Sequence, residues 1–131
     1  MTTQPRTPVQ QTTQQERAKS AWDAVSSMVR DPNAKDYGSL VRGLPSQIQR
    51  DGLGPTLAFL AAKGRGHHVA LLRHLDAWVL PKLGAQQVRE GLLGYVLTCS
   101  SDEYRRAGSE TQAYLAWLKR FVEAKDPGEA G

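Results

Sequence analysis

The stretch SSDEYRRAGSETQAYLAWLKRFV, Ser100 to Val122, decides the class of fold. Ser100 followed three residues later by Glu103 is a capping-box signature for a helix start, and Asp102 and Glu103 sit where negative charge favours the helix dipole. At 100° per residue, Tyr104, Ala107, Thr111, Tyr114, Leu115, Leu118, Phe121 and Val122 then fall on one apolar stripe. The other side carries two pairs of adjacent cations, Arg105 with Arg106 and Lys119 with Arg120. Each member of one pair lies fourteen positions from its counterpart, nearly four whole turns, so the pairs come within about 40° of eclipse and about 21 Å apart. Between them the outward positions are Ser109, Gln112, Ala113 and Ala116, with Glu110 the only anion. A long polyanion could lie across both clusters. The charge pattern equally describes a solvated face stabilised by an Arg106 to Glu110 pair at i, i+4.

Working outward, the same period recurs along the chain. Ala18, Ala21, Trp22, Val25, Met28 and Val29 form a stripe on a helix stopped by Asp31 and Pro32. Tyr37, Leu40, Val41 and Leu44 begin a second helix, which Gly43 and Pro45 should kink or break in two before Gly52 ends it. Pro55 suits the first turn of a third helix, and the glycines of GRG, Gly64 to Gly66, terminate it. A fourth turns Val69, Leu72, Leu75, Trp78 and Val79 inward until Pro81 and Gly84 close it. A fifth, from about Gln86 to Leu97, packs Leu92, Leu93, Val96 and Leu97, with Gly91 and Gly94 each costing about 1 kcal/mol relative to alanine. No segment alternates as a strand does. The expected fold is all-α, a single compact bundle of about six helices over 16–125, preceded by a disordered Gln/Thr-rich tail over 1–15 and followed by a flexible C-terminus at 126–131.

Composition narrows the function. A chain of 131 residues suits one domain, and its single cysteine, Cys99, cannot form an internal disulfide and fits a reducing compartment. No leader or bilayer-length apolar run is present, so a cytoplasmic location is expected. A net charge of +4 with a pI near 9.5 tilts the surface toward anionic partners. His67, His68 and His74 are the only imidazoles, and no carboxylate or cysteine completes a ligand set around them at accepted spacings. No metal or cofactor is expected. RNA cleavage would require His68, His74 and Arg73 to converge, and nothing in the sequence brings them together. GRGHH lacks the lysine and hydroxyl residue of a phosphate-binding loop. Of the three tryptophans, Trp22 and Trp78 fall on apolar stripes as core residues, and Trp117 sits at the edge of its stripe.

YGSLVRGLPSQIQRDGLGPTLAFLAAKG, Tyr37 to Gly64, followed by a Leu and Trp helix and then by YRRAGSETQAYLAWLKRF, resembles the small helical subunit of the type III-B (Cmr) CRISPR effector complex. The resemblance spans about Arg17 to Ala124; the Gln and Thr tail, Gly54-Pro55 at a helix start and Pro81 depart from it. It implies a noncatalytic protein of antiviral defence, stacked on copies of itself in a filament with the backbone and large subunits, beside guide RNA and target RNA. Under it, Arg105, Arg106, Lys119 and Arg120, with Arg42, Lys63, Arg65 and Arg73 as weaker candidates, would meet target-strand phosphates or acidic patches on neighbours. Two other classes stay open: a structural adaptor for acidic proteins that needs no RNA, and a small ribonuclease. On the sequence alone, deleting Met1 to Gln15 should leave the melting temperature unchanged, because the segment has no apolar face to bury.

Overall fold

The computed structural model describes residues 11–85 and 88–125. Among them the chain is all-α, with α1 Thr13–Met28, α2 Ala34–Asp51, α3 Leu53–Lys63, α4 Gly66–Lys82, α5 Gly91–Thr98 and α6 Ser101–Lys125. The expected fifth-helix start at Gln86, the last six residues and most of the expected tail lie outside the described residues. The tail's end does not behave as expected. Thr12 caps α1 in a full capping box: its hydroxyl accepts from the Gln15 N–H at 3.0 Å, and its own N–H donates to Gln15 Oε1 at 2.8 Å. A polar stretch with nothing to bury still folds when its side chains satisfy the orphan amides of a helix end.

Two helices organise the rest. α4 touches every other helix, so it is buried on most of its circumference, with Ala70, Leu71, Leu75, Trp78, Val79 and Leu80 all inside. Its expected inward stripe is correct for Leu75, Trp78 and Val79, while Val69 is exposed and His68 takes the buried position instead. α6 runs the length of the bundle against α1, α2 and α4, burying Ala107, Thr111, Tyr114, Leu115, Leu118 and Val122. Its start is the Ser100 and Glu103 capping box read from the sequence, with bonds of 2.8 and 3.1 Å. α2 is one helix through Pro45, not two. Proline deprives the Val41 carbonyl of its donor, yet Leu44 before it and Ile48 after it are both buried, and Gln112 of α6 donates to the Pro45 carbonyl at 3.1 Å. Tertiary packing holds together what the local sequence would divide.

The short helices begin on caps supplied from elsewhere. At α3, the Gly54 N–H donates to the Tyr104 hydroxyl of α6 at 2.7 Å. At α5, the Leu92 N–H donates to Asp76 Oδ1 of α4 at 2.9 Å, and burial raises the Asp76 carboxyl above its ordinary range even though this bond acts the other way. Gly91 is therefore the first residue of α5, not a weak point within it. Its φ is +63°, and a Cβ there would collide with the Asp76 carboxylate. Leu97, expected inside, is 71% exposed, because this eight-residue helix buries only Leu92, Tyr95 and Val96.

Truncation through Gln15 removes the α1 cap and should now cost about 1 kcal/mol. Gly91→Ala combines left-handed strain with displacement of a capping carboxylate and should destabilise by about 1–3 kcal/mol. Gly43→Ala, in the interior of α2 with nothing within 4 Å of the new methyl, should stabilise by about 0.5–1 kcal/mol. Urea unfolding of the three variants measures all of these.

Candidate nucleic-acid interface

Glu110 lies in the middle of α6, one turn beyond Arg106, but it does not pair with Arg106. It accepts a two-pronged hydrogen bond from Arg17 of α1, Nε to Oε2 at 2.6 Å and Nη2 to Oε1 at 2.9 Å. Trp78 of α4 donates its indole N–H to the same Oε2 at 2.6 Å. The two charged side chains are only 13% and 16% exposed. Burial by itself would raise the Glu110 carboxyl, but the Arg17 and Trp78 hydrogen bonds, with the charges of Arg17 and Lys82, outweigh it and hold the group below its usual range. Arg17 is correspondingly raised, first by its bond to Glu110 and against its own burial. Beneath this node the Trp78 ring stacks on Tyr114, centroids 5.7 Å apart, and the Tyr114 hydroxyl meets Ser20 Oγ at 2.9 Å.

Above the node opens a cleft of about 780 Å³ lined by Arg17, Lys82, Leu83, Asp102, Arg105, Arg106, Ser109, Glu110 and Ala113. Four cations thus face two carboxylates. Arg105 pairs with Asp102 on its own helix, an interaction between largely exposed groups that contributes little. Lys82 stands 4.5 Å from the Trp78 ring centroid and 3.2 Å from Glu16. Arg106 is exposed and forms no ion pair among the described residues. The sequence offered it Glu110 as a partner; the fold gives Glu110 to α1 and leaves Arg106 available to an outside anion.

Of the eight cations singled out from the sequence, Arg105 and Arg106 line this cleft. Lys119 and Arg120 are exposed further along α6, Arg120 with Glu123 at 3.6 Å. Lys63, with its ammonium 5.7 Å from the Phe59 ring centroid, and Arg65 flank the α3–α4 junction. Arg73 is exposed on α4, and Arg42 is half-buried on α2. Arg17 and Lys82 join the cleft unannounced, since nothing in the local sequence links Arg17 to a carboxylate 93 positions away.

Two of the three histidines, His68 and His74, are drawn into the bundle. His68 is buried beside Phe59 of α3, rings 5.6 Å apart at 77°, and its Nδ1 has no hydrogen-bond partner. His74 Nδ1 lies 2.7 Å from the Tyr37 hydroxyl of α2, and burial, then the charge of Arg73, lowers its pKa to about 4. The two imidazoles therefore face different helices. No group of three or more potential metal ligands occurs among the described residues. None of the helices there is long and apolar enough to cross a membrane.

With the geometry established, likeness to known proteins gives the class. The family model for the CRISPR-associated protein Cas_Cmr5 matches residues 13–125. The chain belongs to this family of CRISPR-associated proteins. The CRISPR system Cmr subunit Cmr5 of Thermus thermophilus is 28% identical over 107 residues, covering 82% of this chain and 90% of its own length. An X-ray crystal structure of a CRISPR-associated Cmr5 family protein from Thermus thermophilus superposes with a TM-score of 0.75 at 28% identity, covering 88% of this chain and 97% of that one. The resemblance to the small Cmr subunit stands, and the departures at Gly54-Pro55 and Pro81 are accommodated inside α3 and α4.

Glu110→Gln keeps the shape of the node and removes its charge, which should cost about 1–3 kcal/mol at neutral pH. The folded Glu110 carboxyl titrates below its ordinary value of 4.5, so its stabilisation is complete above that value and is lost as pH falls through the lower folded one. Thermal melts should therefore separate wild type from variant at pH 7 and converge in strong acid.

Proposed function

We propose that this chain is the noncatalytic small subunit of a type III-B Cmr effector complex in antiviral defence, and that its basic cleft holds the sugar-phosphate backbone of target RNA. Family membership supports the small-subunit role. One observation carries the RNA contact: the fold fixes Arg17 with Glu110 in the floor of a cleft and leaves Arg105 and Arg106 exposed at its mouth, Arg106 without an internal anion. Backbone contacts position a strand without reading its bases, which suits a complex whose sequence specificity comes from guide pairing. Lys119 and Arg120 extend positive charge along α6 toward the next stretch of strand or the next subunit, in a filament of stacked copies beside the backbone and large subunits.

Catalysis is left to other components. His74 is held neutral against Tyr37 and His68 is buried against Phe59, so neither is placed to share a substrate with the other. The second reading is an adaptor that meets acidic protein surfaces without RNA. It is favoured by the carboxylates of Asp102 and Glu110 within the same cleft, which would temper its grip on a polyanion.

The test replaces Arg105 and Arg106 together by glutamate in the assembled complex. The isolated variant should melt within about 0.5 kcal/mol of wild type, since both side chains are exposed. Target-RNA binding should weaken, and its dependence on log salt should become shallower by about 0.7 for each phosphate that is no longer neutralised. Unchanged affinity and slope with impaired assembly would favour the adaptor.

A further inference from the structure

The face of α6 that lines the cleft continues past it. Ala113 lies at the cleft's edge, and the next positions on that face, one and two turns on, are Trp117 and Phe121. Phe121 stacks on Trp117 with centroids 5.4 Å apart at 29°, and meets Trp22 of α1 at 5.0 Å and 88°. Trp22, expected in the core from its stripe, is 43% exposed, because Ala21, Ala24 and Val25 occupy the inward side of α1 and leave the indole on the flank. Its indole N–H has no partner among the described residues, and the Lys125 ammonium sits 3.7 Å from its ring centroid. An indole kept half in solvent, backed by Phe121, which is itself stacked on Trp117, and carrying a cation on its π face, is more than the core of this bundle requires.

We propose that Trp22, supported by Phe121 and Trp117 and flanked by Lys125, is a stacking platform for the bases of single-stranded RNA whose phosphates run through the cleft. The inference rests on the RNA reading of that cleft and adds to it a base contact. Trp117 lies eleven positions beyond Arg106, about 16 Å along the helix, so a short strand reaches both. Aromatic faces beside a basic track bind bases of any identity, because every base offers a π face. Charge argues for a nucleic acid over an apolar protein partner: Lys125 stands on the ring itself, Arg106 lies up the same face, and the neighbouring carboxylate of Asp23 is already taken by Lys19 at 3.2 Å.

The test titrates the full chain at low salt with a short single-stranded RNA and with a strand of the same length that lacks its bases, following tryptophan emission and affinity. The RNA should quench emission and bind about tenfold more tightly than the abasic strand. Trp22→Leu, which keeps apolar bulk against Phe121, should reduce RNA binding to the abasic level, and Trp22→Phe should recover most of the difference. If wild type binds both strands equally and in a salt-dependent way, the cleft reading survives and the platform falls. If it binds neither strand, both fall. If Trp22→Leu leaves RNA affinity and quenching intact but weakens self-association or incorporation into the complex, the aromatic face belongs to a protein interface and the platform is overturned.

Discussion

A carboxylate placed in the interior face of a helix bundle has to find donors, and the way Glu110 finds them sets the arrangement around it. The Arg17 fork and the Trp78 indole converge on it from α1 and α4. That convergence fixes the axial position of α1 on α6: the pairs Arg17 with Glu110, Ser20 with Tyr114 and Trp22 with Phe121 climb both helices together, so the two run in the same direction. It also orients Trp78 for stacking on Tyr114. Removing one member of such a node leaves the others buried without partners, which makes it more demanding than its net contribution to stability suggests.

The same allocation shapes the surface. On an isolated helix Arg106 and Glu110 would neutralise one another at i, i+4. In the bundle Glu110 turns toward α1, and Arg106 keeps its charge at the mouth of the cleft. The cleft's positive character thus results from an internal bond between other residues. Internal packing and the outward electrostatic face share one acid.

A second pattern of borrowed partners appears at helix starts. α1 and α6 carry their own capping boxes, whereas α3 is capped by Tyr104 and α5 by Asp76, each from another helix. The shorter helices are the ones capped from outside. Helices of this length are marginal alone, so their starts are defined by the surface they dock against. The close approach leaves no room for a larger side chain at Gly91, where a Cβ would collide with Asp76, and little at Gly54, where it would stand 3.2 Å from the Tyr104 hydroxyl.

Periodicity and capping chemistry were legible in the residues: the all-α class, the buried stripe of α6, its Ser100 start, and the termination of α3 at Gly64 in the left-handed conformation. These are local properties, decided by which side chains share a helix face and which amides lack an acceptor. The motifs of α2, α3 and α6 also carried the family. What the sequence did not reveal depends on contacts between residues far apart in it: the unbroken α2 across Pro45, the exposure of Trp22, Val69 and Leu97, and the late start of α5. The site divides in the same way. Arg105 and Arg106 were visible as outward cations because a helical wheel suffices to place them, but the cleft they line required Arg17 and Lys82 from two other helices. A hydrogen bond between residues 93 positions apart has no local signature. Only the folded chain decides which cation Glu110 neutralises and which it leaves charged.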